Sequence, residues 1–111
     1  MDANSREDLM IEILKRVKPG LFDSPNGILL NIREDLDFIH ITNVEFRDTW
    51  EQMKSLGYIV PNPNYSDRAR HSINPEKDVL EKLLEKQKLR NPITHLDDLL
   101  KHFISLSKLR S

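Results

Sequence analysis

Apolar residues in this chain recur at the helical spacing in five stretches, separated by short runs rich in Pro, Gly, Asn and Ser. Leu9, Met10, Ile13, Leu14 and Val17 return at three and four residues, so the first helix shows one face to a core. Ser5 with Asp8 three residues on reads as its capped start, and Pro19-Gly20 as its end. The loop LFDSPNG follows. Ile28-Leu29-Leu30 is short enough for a strand, with its natural place as a third strand beside a later hairpin. Asn31 with Glu34 is a second cap. It opens a short helix with Ile32, Leu36, Phe38 and Ile39 turned inward, ended by His40-Ile41.

Thr42 with Glu45 is a third capping box, so only a brief turn is expected between helices two and three. In TNVEFRDTWEQMKSLG the stripe is Phe46, Thr49, Trp50, Met53 and Leu56, with Trp50 as core anchor. Gly57 suits the left-handed residue that closes a helix. Tyr58-Ile59-Val60 then reads as a strand, and PNPNYSDRAR as a loop tip, because prolines remove ladder donors. His71-Ser72-Ile73 returns as the second strand. Asn74-Pro75 opens helix four, with Val79, Leu80, Leu83 and Leu84 inward, interrupted by EKQKLRN and Pro92. Thr94 with Asp97 starts a last helix. There Leu96, Leu99, Leu100, Phe103, Ile104 and Leu106 form an apolar stripe roughly 160° wide, which must fold back or meet a second copy.

The order helix, strand, helix, helix, hairpin, helix resembles the winged helix-turn-helix superfamily, notably small prokaryotic or phage-type regulators with a C-terminal dimerising helix. SLGYI looks like the family's passage from the third helix into the first wing strand. SINPEKDVLEKL looks like the second wing strand entering the next helix, although Ile73, Asn74 and Lys77 depart from the common Leu-Thr-x-x-Gly. The fold class expected is mainly α with a small antiparallel β-wing. Residues 1–90 would form the winged-helix domain, and residues 91–111 an amphipathic helix that folds back or dimerises through Leu96, Leu99, Leu100, Phe103 and Ile104.

The resemblance implies double-stranded DNA as partner, a role in transcription regulation and a homodimer. Carried over, helix three would present Asn43, Val44, Arg47 and Lys54 to the major groove. Arg47 suits guanine, Asn43 adenine, and Val44 a thymine methyl. Tyr65, Arg68 and Arg70 would reach the backbone from the wing.

Charge changes this picture. The net charge is −1, which gives no general attraction to nucleic acid or acidic membranes. Residues 31–60 hold three basic and six acidic side chains, whereas residues 76–111 hold eight basic and six acidic. Asp48 and Glu51 sit in the middle of the outward face of helix three and oppose phosphate. Hence a second expectation is a winged helix that captures a protein partner on the acidic face of helices two and three. The bland alternative is a solvated face with local ion pairs, and the Lys82–Arg90 run, alternating with glutamates, has that pattern too.

Other chemistry finds little support. With no cysteine there is no disulfide, thiolate site or thiol nucleophile. His95, Asp98 and His102 share a helical side, but wide spacing and no further ligand make them surface residues rather than a metal site. No Gly-rich phosphate loop or catalytic motif is present, so neither an enzyme nor a cofactor is expected. No run nears the ~18 apolar residues of a membrane span. The acidic start MDANSRED is unlike a signal or transit peptide, so a cytoplasmic place is expected.

Overall fold

The computed structural model describes residues 1–17, 24–66 and 70–90. Its elements are α1 (Ala3–Val17), α2 (Pro25–Ile32), a 3-10 turn (Leu36–Phe38), α3 (Asn43–Leu56), β1 (Ile59–Pro61), β2 (His71–Ile73), a second 3-10 turn (Pro75–Lys77) and α4 (Leu80–Arg90). The described chain is mainly helical with one small antiparallel sheet. The last apolar stripe, residues 94–106, lies outside the described residues.

α1 is the central element, packing against α2, α3, β2 and α4. Leu9, Ile13, Leu14 and Val17 are buried as their spacing predicts, and Ile11 is fully buried as well. A helix with neighbours on several sides buries more than one stripe. The helix starts earlier than Ser5: the Asp2 carboxylate accepts the Ser5 N–H at 2.7 Å, so Asp2 caps it. The Ser5 backbone N–H, and then its hydroxyl, hold the Asp2 carboxyl below its usual range.

The expected strand at residues 28–30 is a helix. Pro25 stands at the first helical positions, where its missing N–H costs nothing. Ile28, Leu29 and Ile32 then fall on one buried side. The helix expected from Asn31 is likewise absent as such. Asn31 lies within α2, and its Oδ1 accepts from Arg16 Nε at 2.7 Å, which takes the oxygen a cap would need. Residues 33–42 form a longer connection, in which Asp35 caps the 3-10 turn. There Leu36 is 83% exposed and Ile39 48%, so neither faces the core; Phe38 is half-buried against it. The brief turn expected between helices two and three is therefore a ten-residue link.

α3 matches its expected bounds. Thr42 and Glu45 form the full capping box, and Gly57 closes the helix at φ +76°. Phe46, Thr49, Trp50 and Met53 are buried, while Leu56, expected inward, is 40% exposed at the helix end. Ile59 pairs with Ile73 and Pro61 with His71 in a two-stranded sheet. Pro61 is tolerated because, among the described residues, its strand has no third neighbour to receive an N–H. The Trp50 ring stacks near Phe46 (centroids 5.9 Å) and meets the edge of His71 at 5.3 Å, locking α3 to β2.

α4 runs through the polar stretch where an interruption was expected. Leu80 and Leu83 anchor it in the core, and its charged side meets α1. Arg90 pairs with Glu7 and Asp8, Lys86 lies 3.7 Å from Glu7, and Gln87 donates to Asp8 at 3.2 Å. Among the described residues no helix is long and apolar enough to cross a membrane.

Candidate functional site

The start of α3 is fixed by hydrogen bonds from its own cap and from Arg33. At its start Thr42 Oγ1 accepts the Glu45 N–H at 3.1 Å, and the Glu45 carboxylate accepts the Thr42 N–H at 3.2 Å. The Thr42 backbone N–H, and secondarily its hydroxyl, hold the Glu45 carboxyl below the usual carboxylate range. Arg33, from the end of α2, donates to the Ile41 carbonyl at 3.0 and 2.8 Å and to Asn43 Oδ1 at 2.8 Å. The Asn43 side-chain oxygen is therefore already engaged by Arg33.

Asn43, Val44, Arg47, Asp48, Glu51, Lys54 and Ser55 are all exposed. At about 100° per residue they split into two rows. Asn43, Arg47, Glu51 and Lys54 run beside Trp50, whereas Val44, Asp48 and Ser55 run along the far side. Gln52, further round, accepts from Arg6 of α1 at 3.1 Å. Lys54 Nζ lies 3.4 Å from Glu51, an exposed pair contributing at most a few tenths of a kcal/mol. Among the described residues, Arg47 has no carboxylate at ion-pair distance.

At the hairpin, the Arg70 guanidinium lies 4.5 Å above the Tyr65 ring, a cation–π contact that holds the two together. The Asn62 N–H donates to the Arg70 carbonyl at 2.9 Å, extending the strand pairing past Pro61. Arg68 and the dimerisation residues Leu96, Leu99, Leu100, Phe103 and Ile104 lie outside the described residues, as do His95, Asp98 and His102.

A cleft of about 370 Å³ opens between the start of α2, α3 and β2. Its wall includes Phe46, Trp50 and His71, and its polar rim includes Asn26, Arg47 and Lys54. Reading residues 28–30 as a strand hid the contribution of α2. The Arg47 and Lys54 half was visible as the helical repeat beside Trp50. A second cleft of about 380 Å³ lies where the α1 start, the α3 end and α4 converge, lined in part by Arg6, Met10, Leu56 and Tyr58. Among the described residues no group of three His, Asp or Glu side chains could hold a metal ion.

No family model, no curated protein and no solved structure matches the chain. The described residues thus form a helix-rich fold carrying a small antiparallel hairpin, with an exposed, mixed-charge helix leading into it.

Proposed function

We propose that the chain is a winged-helix DNA-binding protein, acting as a dimeric transcriptional regulator inside the cell. One observation supports this reading above the others: α3 passes through Gly57 directly into the hairpin, α3 and β2 both pack against α1, and Phe46, Trp50, Met53 and Ile59 belong to the common core. A helix and a β-ribbon fixed on one body can enter a groove and touch the flanking backbone together. Asn43, Val44, Arg47 and Lys54 take the major-groove side, and Tyr65, Arg68 and Arg70 the phosphate side.

The charge of α3 sets the strength of this interaction. Arg47 and Lys54 are balanced by Asp48 and Glu51, so one copy gains little from phosphate neutralisation. A homodimer formed through Leu96, Leu99, Leu100, Phe103 and Ile104 doubles the hairpin arginines and makes binding effective. Light scattering then gives about twice the 13.1 kDa chain mass, and Phe103→Asp reduces it. Fluorescence anisotropy against mixed-sequence duplex tests the DNA step. A dimer contacting roughly six phosphates gives a log–log salt slope near −5. Absence of salt-sensitive binding even at low ionic strength removes the reading.

A second reading, capture of a protein partner, is favoured by a separate observation. Leu36 is 83% exposed, Leu30 66% and Val44 63%, and Glu34, Asp35 and Asp37 share their segment of the chain. Exposed leucines among carboxylates suit a partner surface that is apolar with a basic rim.

A further inference from the structure

The cleft beside Trp50 combines an aromatic wall with a charged rim, and the two together favour one class of ligand. Its volume of about 370 Å³ falls at the small end of the range for small-molecule pockets, roughly 300 to 1,000 Å³. The wall is aromatic: Phe46 and Trp50 stack with their planes 24° apart, and His71 closes against Trp50 edge-on. The rings are largely covered by one another, Phe46 and Trp50 each 5% exposed, and the apolar strip left open suits the edge or face of a single planar ring.

The rim selects charge. Arg47 and Lys54 against Glu51 put two cations and one carboxylate at the mouth. Of the two rim cations, Arg47 is the one with no carboxylate at ion-pair distance among the described residues. Its planar fork matches a carboxylate in two parallel bonds. Pro25 and Asn26 place the first turn of α2 at the same rim, and that turn holds no acidic residue. The Ser24 side chain makes no capping bond there. The positive end of that helix reinforces Arg47. Glu51 acts in the opposite sense and disfavours a dianion such as a phosphate monoester.

We propose that this cleft binds a small aromatic monocarboxylate, its ring against Phe46 and Trp50 and its carboxylate held by Arg47 and Lys54. Binding of the acid does not depend on the DNA reading. One consequence does: Arg47 and Lys54 also belong to the proposed DNA face, so an occupied cleft weakens the hold on a duplex.

Trp50 is the single tryptophan of the chain, so intrinsic fluorescence reports on the cleft without a label. Benzoate titrated into the full-length protein gives a saturable change, and uncharged benzamide and inorganic phosphate bind more weakly. Arg47→Gln, at an exposed position that leaves the core intact, weakens benzoate roughly tenfold or more, the effect of a lost charge-assisted hydrogen bond. Lys82→Gln, on the exposed side of α4, leaves the titration unchanged. Three results overturn the proposal: a change that grows without saturating, benzamide binding as tightly as benzoate, or Arg47→Gln titrating like the wild type. None of these depends on whether DNA binds, so the two readings fail separately.

Discussion

Gly57 alone among the described residues has a positive φ, +76°, and the end of α3 is built around it. Asn74 Nδ2 donates to the Gly57 carbonyl at 2.8 Å, and Lys77 Nζ reaches the Leu56 carbonyl at 3.3 Å, so the 3-10 turn after β2 supplies donors to the last acceptors of the helix. A Cβ added at Gly57 would lie 3.5 Å from Lys77 Cδ and Nζ, an ordinary contact. The cost of Gly57→Ala is therefore backbone strain alone, about 1 to 2 kcal/mol, read as a lowered urea midpoint with the slope unchanged. The opposite end of α3 responds to pH. The folded values of the Glu45 and Asp2 carboxyls lie below their unfolded ones. The stability they lend is fully present above the unfolded values, about pH 4, and is lost as pH falls through the folded ones. Replacing Glu45 by Gln removes one titrating cap, so the urea midpoint falls less steeply between about pH 5 and pH 3 than in the wild type.

α1 and α4 meet through a charged edge as well as through Leu80 and Leu83. Arg90, whose side chain is 19% exposed, joins both Glu7 and Asp8. Arg90→Ala removes this bridge and leaves two carboxylates near each other, a loss of about 1 kcal/mol that shrinks in high salt. Chemical denaturation at low and high salt measures it, and a salt-independent loss would assign the effect to packing of the arginine stem instead. Such pairings, made between distant parts of the chain, are what local pattern cannot show. The Thr42 and Glu45 signature was legible because its partners are three residues apart, and so was the Phe46, Thr49, Trp50 and Met53 stripe. The hairpin was readable to within a residue. Asn31 with Glu34 carried a similar signature and misled, because Arg16 of α1 takes the Asn31 oxygen. Ile28-Leu29-Leu30 is too short for periodicity to separate strand from helix, and Pro25 decides it as a helix start. The polar run of α4 reads as an interruption until Glu7 and Asp8 are placed across from it. The donor-rich half of the candidate site was visible in α3. The cleft was not, since its other wall is α2.

Over the whole molecule the balance of charge decides between the two partners proposed. The chain is −1 overall, and residues 31–60 concentrate six acidic against three basic side chains. Asp48 and Glu51 are both exposed on α3, and Glu51 makes only the weak pair with Lys54. Reversing both to lysine therefore leaves the core and the cap untouched, while turning two charges that would repel phosphates into two that would attract them. If α3 enters a groove, each new lysine that meets a phosphate steepens the log–log salt slope by about 0.9. Anisotropy would then show tighter binding that fades faster with added salt, and more so in a dimer, which carries four such lysines. A protein partner with a basic rim gives the opposite result: capture through Leu36, Val44 and their neighbouring carboxylates is lost, and any duplex binding by the new lysines is equally strong for every sequence. An unchanged salt slope in the doubly reversed protein would mean that α3 does not face DNA, and the assignment of Asn43, Val44, Arg47 and Lys54 as groove contacts would fall with it.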